Sequence, residues 1–407
     1  MNMTIGVGGL TPEQALAELT DMTGDVKPIT LTEYQQRITK AQQLMQQANL
    51  DAIYLNAGTN LYYFTGTRWY ASERLVGAIL PAKGELVYIA PYFEINTIEG
   101  FMQVTGEVKG WHEDQCPYEL TVATLKQMGI DKGSIGVDES TGFFIADGLA
   151  SSGSEYSWVS AKSVTAGCRS CKSKAELALL QTAKNMTIEV HKAAARILYE
   201  GISTQEVKKF IDDAHRKVGA SGGTSFCIVL FGVDSSFPHG VKTPKSLAMN
   251  EVVLIDTGCL VEGYQSDITR TYVYGQANDR QRQIWDMEKQ AQAEAFTKAQ
   301  LGVPCGDVDT AARDYLAEQG LGPDYQVPGL PHRTGHGIGL DIHEWPYLVK
   351  NDRTPLDVGM CFSNEPMLVI PDEFGIRLED HFYMSEQGPV WFTEPSHSID
   401  DPFGYQA

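Results

Sequence analysis

The 407-residue chain holds 52 acidic against 32 basic residues, a formal net charge of −20, and 43% of it is hydrophobic. That length supports two or three domains with ordinary cores, while the charge repels phosphate backbones and anionic lipid, so neither nucleic acid nor a membrane surface is an expected partner. Seven cysteines, an odd number and mostly scattered, speak against a disulfide framework and for a reducing compartment.

Taken in chain order, residues 1 to about 30 are polar, with Gly8, Gly9, Thr11 and Pro12 ahead of a short amphipathic stretch over 13–19. There is no basic segment followed by an apolar core, and no run approaches the ~18 apolar residues of a membrane span, so the expected location is the cytoplasm. The N-terminal stretch reads as an arm that packs on a partner subunit. A helix is predicted over 34–50, with Ile38, Ala41, Leu44 and Met45 at helical spacing. It is followed by the strand DAIYL and then by NLYYFTG, LVGAILP and LVYIAP. A helix over 120–128, a strand around 135–137 and a helical run after Ser140 complete a small α/β domain by about residue 165. Cys168 and Cys171 form a lone CxxC at a helix entrance and receive no role.

Two capping boxes open the rest of the chain, Ser173 with Glu176 ahead of a long helix over 175–200, and Ser203 with Glu206 ahead of the next. The pattern returns 101 residues later, where LGVPCGDV answers EGISTQEV after a second long helix over 279–301. Each helix pair precedes strands, so a duplicated half of two helices and an antiparallel sheet is expected.

Chemistry concentrates in four segments of this second part. Residues 252–255 are apolar and read as a buried strand running into Asp256, and a second strand opens at Asp267. PHRTGHGIGLDIHEWP, SNEP and GIRLED follow, and three of the nine histidines, His332, His336 and His343, fall within twelve residues. A buried carboxylate needs paired positive charge. Asp256, Asp267, His336, Glu365 and Glu379, one imidazole and four carboxylates, suit a pair of divalent metal ions.

These segments resemble the metallopeptidases of the pita-bread fold, which include prolidase (Xaa-Pro dipeptidase), aminopeptidase P, methionine aminopeptidase and the metal-free creatinase. The eleven-residue step from Asp256 to Asp267, the His in GHGIG, the Glu in NEP and the Glu in RLED match that family's metal-ligand positions. The resemblance implies a small creatinase-like α/β domain over 1–165, serving substrate access and oligomer contacts, and a pita-bread catalytic domain with a pseudo-two-fold repeat over 166–407. It implies that Asp256 chelates one ion, that His336 and Glu365 bind the other, and that Asp267 and Glu379 bridge them. Glu365 would be the general base for a metal-bridging hydroxide. His239 and His343 would steady the scissile carbonyl, and His332 would shape the pocket beyond the bond. Arg377 would orient the ligating carboxylates, and the loop over 66–74, beside an aromatic cluster from Tyr62 to Tyr70, is the candidate lid.

The expected activity is hydrolysis of the Xaa-Pro bond of short proline-containing peptides by a homodimer carrying two divalent ions per subunit, manganese before cobalt, zinc or iron. Prolidase is the first reading and aminopeptidase P, on longer peptides, the alternative. Hydrolysis or lysis of a small non-peptide substrate, and a metal-free binding module, stand further off. In several dipeptide-restricted prolidases an Arg that grips the substrate carboxylate stands where this chain has Asn351, flanked by Lys350 and Arg353. His381 and His397 are read as structural or solvated.

Overall fold

Thr11 and Gln14 close a capping box at the head of the helix Pro12–Glu18, with Pro12 at its first position. The computed structural model describes residues 3–406, and this N-terminal stretch belongs with residues 170–406, while residues 28–169 form a second unit. The stretch is tied to its own chain. Thr4 Oγ1 donates to the Val273 carbonyl (2.7 Å), Gly8 N to Ala195 O (2.9 Å) and Leu10 N to Arg196 O (3.0 Å). The boundary expected at 165/166 falls at 169/170, because the helix Lys162–Arg169 packs on Leu31–Ala48 and its Cys168 carbonyl accepts from Tyr63 Oη at 3.0 Å.

Residues 28–169 hold a six-stranded mixed sheet. Its order is Glu107–Trp111, Val87–Pro91, Gly77–Pro81, Ala52–Asn56, Gly133–Val137, Tyr156–Ser160, and its central strands are buried along their whole length. NLYYFTG is not extended but helical, Thr59–Thr65, bounded by Gly58 and by Gly66, whose φ of 71° closes the helix in the left-handed conformation. Tyr63 and Phe64 from it are core and meet edge to face at 4.9 Å, whereas Tyr70 is exposed. Residues 66–74 are irregular, and Arg74 reaches Glu113 at 3.0 Å.

The other unit shows the expected duplication. Both capping boxes are present, heading Lys174–Arg196 and Thr204–Lys217, and a third, Asn278 with Gln281, heads Asp279–Lys298 ahead of Cys305–Glu318. The first helix pair is followed by a three-stranded antiparallel sheet, Phe226–Phe231, Glu251–Gly258 and Ile268–Tyr274. The second is followed by five strands in the order Glu344–Leu348, Gly335–Gly337, Cys361–Asn364, Asp380–Ser385, Gly388–Trp391. The two sheets touch where Thr269 bridges Glu379. Trp285, 2% exposed, lies beneath the first sheet with Nε1 donating to Thr271 O at 2.9 Å. Among the described residues no helix is long and apolar enough to cross a membrane, and all seven cysteines are unpaired.

Two histidines are sealed into this unit. His191 stands beside the Ile268 carbonyl at 2.9 Å, and His215 lies between Ile211 O (3.1 Å) and Thr187 Oγ1 (3.1 Å). Burial holds both rings neutral, lowering His191 to about 3 and His215 to about 4. An unfolded histidine takes up its proton near pH 6.5, so between there and pH 4 the unfolded chain binds more protons than the native one. Stability is therefore expected to be full above pH 6.5 and to fall as pH drops towards 4. Urea midpoints at pH 7 and pH 5 measure this, and His215→Leu should lessen the fall; equal slopes in both proteins would show that His215 does not titrate this way.

Candidate metal centre

All five expected ligands come to one place, each at or beside a strand end. Asp256 lies two residues inside the end of Glu251–Gly258, opposite Thr269, and Asp267 immediately precedes Ile268–Tyr274. His336 is the middle residue of Gly335–Gly337, and both flanking glycines are required by close backbone approach. A Cβ on Gly335 would stand 2.0 Å from Ser363 O, and one on Gly337 would stand 2.5 Å from Glu344 O. Glu365 follows Cys361–Asn364, with its N–H on Thr334 O at 2.8 Å, and Glu379 precedes Asp380–Ser385, with its N–H on Thr269 O at 3.1 Å.

The side chains form a dense acidic cluster. Asp256, Asp267, His336 and Glu379 are each no more than 6% exposed, and the Glu365 side chain is the most open at 13%. His336 Nδ1 lies 3.0 Å from the Gly337 carbonyl, which can only accept, so Nδ1 carries the proton. That leaves the Nε2 lone pair facing Glu365 Oε1 at 3.1 Å and Asp267 Oδ2 at 3.7 Å. Lone pairs so opposed require a cation or a further proton between them. Asp256 Oδ1 and Glu379 Oε1 are buried without any hydrogen-bond partner. Three sets of donor atoms lie within 4.8 Å of one another: Asp267, His336 and His343; Asp267, Glu379 and His381; His336, Glu365 and Glu379. Asp267, His336 and Glu379 each belong to two sets, so the sets overlap in one cluster, with Asp256 beside Asp267 but in none of the three. The donors thus fit divalent cations.

The electrostatics say the same. Burial, then the neighbouring carboxylates Asp256 and Glu365, push Asp267 well above the usual carboxylate range; burial, then Asp267 and Glu365, does the same to Glu379. Asp256 is also raised by burial, with the Arg377 guanidinium opposing. Burial works upward on Glu365 too, but His336 in its protonated form, with His332 and Arg377, outweighs it and holds Glu365 well below, so Glu365 asks for a positive charge at the His336 face whether a proton or a cation supplies it.

Arg377 pairs with Asp256 Oδ2 through Nη2 and donates through Nε to Thr269 Oγ1 at 3.0 Å, and Thr269 Oγ1 donates to Glu379 Oε2 at 2.8 Å. One guanidinium so aligns two carboxylates from different sheets. The His343 ring lies 4.0 Å from that of His336, with its edge exposed; burial, then the charges of His336 and Arg333, lower it to about 4. His332 stands close enough to Glu365 to feel its charge, and its Nδ1 donates to Arg333 O at 2.7 Å. His239 is exposed and near enough to His343 for their charges to interact. Lys350 and Arg353 both point outward: Lys350 pairs with Asp324, and Arg353 is 77% exposed, 4.0 Å from Asp307.

Four further residues lie at or near the cluster: His381 is read in the sequence as structural or solvated, and Thr269, Ser363 and Arg333 are not singled out there. Thr269 is two residues beyond Asp267, and Ser363, two before Glu365, accepts from His336 N (2.9 Å) and donates to Glu365 Oε1 (3.1 Å). His381 is two beyond Glu379. In strands, residues two apart share a face, and that rule applied outward from each ligand would have found all three. Arg333 is the fourth, part-buried over the Tyr347 ring at 4.3 Å, with no carboxylate partner among the described residues.

A duplicated fold around a buried imidazole and carboxylate cluster defines a metallopeptidase. The pattern of Metallopeptidase family M24 matches residues 178–386, and that of the Creatinase/Prolidase N-terminal domain matches 37–171; the chain belongs to family M24. It is 32% identical to YkvY of Bacillus subtilis (strain 168) over 88% of this chain and 97% of that one. Among solved structures it is similar to dipeptidase PepE from Mycobacterium ulcerans, with a TM-score of 0.85, 31% identity and coverage of 92% and 99% of the two chains. It is also similar to a recombinant prolidase from Thermococcus sibiricus, with a TM-score of 0.81, 28% identity and coverage of 89% and 97%.

If the folded cluster holds divalent ions, stripping the protein with chelator should lower its melting temperature and manganese should restore it. At 100 times the dissociation constant one ion adds about 2.7 kcal/mol. Asp267→Ala should abolish the shift in a thermal scan, and a wild-type protein indifferent to manganese would remove the cluster from consideration as a metal centre.

Proposed function

We propose that this chain is a two-metal Xaa-Pro dipeptidase, with Asp256, Asp267, His336, Glu365 and Glu379 as ligands. The observation that carries the reading is the convergence of Asp267, His336, Glu365 and Glu379 in overlapping donor sets, with Glu365 the more open of them. Two divalent ions held there, manganese first given the oxygen-rich donors, would supply a water of near-neutral pKa and polarisation of the scissile carbonyl. Glu365, kept ionised by its cationic and imidazole neighbours, takes the proton of the attacking water and passes it to the imide nitrogen as that leaves. His343 is neutral at working pH and donates to the carbonyl oxygen as the bond opens, with His239 beside it. Arg377 and Thr269 keep Asp256 and Glu379 from swinging during turnover. Proline has no N–H for a peptidase to grip, so recognition falls on the carbonyl and on the free termini. The names dipeptidase and prolidase borne by two of the similar structures agree with this reading.

For a dipeptide the substrate's own carboxylate must be read. Lys350 and Arg353 are engaged at the surface, whereas Arg333 is an unpaired guanidinium close to His343. Arg333 is therefore the anchor in this reading, by charge-assisted hydrogen bonding to the terminal carboxylate.

Release of alanine from Ala-Pro, Ala-Pro-Ala and Ala-Ala by the manganese-loaded protein tests the reading. Cleavage of Ala-Pro alone is expected; cleavage of the tripeptide as well would make the protein an aminopeptidase P, and cleavage of none, with metal bound, would point to a small non-peptide substrate. Arg333→Met should raise KM for Ala-Pro by about tenfold or more, in line with a lost charged hydrogen bond, and an unchanged KM would remove Arg333 from the carboxylate site. His343→Ala should keep its metal yet lose roughly 10²-fold in kcat, and unaltered turnover would leave His343 a structural residue.

A further inference from the structure

His381 is fully buried, and neither ring nitrogen has a hydrogen-bond partner among the described residues. That is costly for an imidazole, which in its neutral form carries one donor and one acceptor. The other sealed histidines, His191 and His215, each meet a carbonyl. An unsatisfied ring in a well-packed strand asks for a ligand.

Its position says which. Strand alternation puts Glu379 and His381 on one face and Asp380 on the other, where Asp380 meets Arg270 at 2.6 Å in a buried ion pair. The face shared with Glu379 is the face of the acidic cluster. His381 Nε2 stands 3.8 Å from Glu379 Oε1, which is itself without a partner, and a nitrogen of His381 lies within 4.8 Å of donor oxygens of both Asp267 and Glu379. Donors that share one ion at about 2.1 Å each stand roughly 3 to 3.5 Å apart, so this separation closes with a small adjustment. Across the ladder His381 pairs with Ser363, the residue whose hydroxyl holds both His336 N and Glu365. The ring thus enters from the same sheet that presents the other imidazole.

We propose that His381 is a sixth protein ligand of the metal centre, adding a second imidazole to an ion held by Asp267 and Glu379. The inference rests on the two-ion reading above. Its consequence is selectivity: the resemblance-based donor set is one imidazole and four carboxylates, which suits manganese, and a second nitrogen moves the preference towards cobalt, nickel and zinc.

The test is imidazole counting on the cobalt-loaded protein. In water, each cobalt-bound histidine with a ring N–H gives its own exchangeable, paramagnetically shifted proton resonance. His381→Gln should lose one such resonance and bind one cobalt equivalent about 10²-fold more weakly by calorimetry, the upper range for disturbing ligation. His381→Asp, which restores a donor of the other kind, should regain ion stoichiometry without the resonance and favour manganese over cobalt relative to wild type. An unchanged set of shifted resonances and an unchanged cobalt isotherm in His381→Gln would overturn the proposal while leaving the two-ion reading intact. A wild-type protein that binds no cobalt would overturn both.

Discussion

Four carboxylates packed around a single guanidinium set the terms for the rest of the catalytic unit. Asp256, Asp267, Glu365 and Glu379 crowd together almost out of solvent, and the fixed charge that meets them directly is Arg377. Arg377 is itself pulled both ways: burial disfavours its charge, and the four carboxylates restore it. Such a cluster is a liability to folding unless cations complete it. The surrounding architecture is accordingly rigid. Two sheets built by a duplicated plan meet at the Thr269 to Glu379 bridge, so Asp256 lies within a strand and Asp267, Glu365 and Glu379 each sit next to the end of one whose register is held by a ladder.

The same demand explains the buried ion pairs that touch no substrate. Arg270 meets Asp380 behind Glu379, and Gln292 ties the Asn364 and Leu378 carbonyls to Asp380, fixing the backbone on either side of two cluster residues. Lys172 meets Glu344 at 3.0 Å, next to His343, and Glu344 also accepts from Asp341 N. Asp309 collects Thr334 N, Thr334 Oγ1 and Lys350 N, while its partner Arg313 donates to the carbonyls of Asp324, Leu330 and His332. A buried pair contributes little net stability but is expensive to break at one end. Here each such pair fixes a segment that carries a histidine or a carboxylate.

What the sequence made legible follows from how local each signal is. The five clustered residues sit in short glycine- or strand-bounded motifs, and the capping boxes at Ser173 and Ser203 are four-residue patterns, so both could be read without tertiary information. The docking of the N-terminal arm could not: nothing in its polar, glycine-rich composition shows that Thr4 and Gly8 bond to Val273 and Ala195 of the same chain. Asp309 and Arg313, spaced four apart on a helix, look in sequence like a solvated surface pair, and their role depends on a loop some twenty residues on. NLYYFTG carries the aromatic and β-branched residues of a strand, and its helix is set by glycines at both ends.

The same reasoning bears on how one site distinguishes substrates. In the dipeptidase reading, a cluster that polarises a carbonyl does not by itself distinguish substrates, and selectivity falls to charged groups at its rim. Most of the chain's cations near the cluster are already committed: Arg377 to Asp256, Arg313 to carbonyls, Lys172 to Glu344, Lys350 to Asp324. Arg333 has no carboxylate partner among the described residues and lies against the Tyr347 ring, which holds a guanidinium in place without neutralising it. A cation so held is preorganised for an anion that arrives from outside, and in a chain of net charge −20 such a position attracts the terminus of a peptide more strongly than the surrounding surface does. In that reading, Asn351 in place of an arginine does not by itself imply a preference for long peptides, because Arg333 stands near His343 to meet a substrate carboxylate.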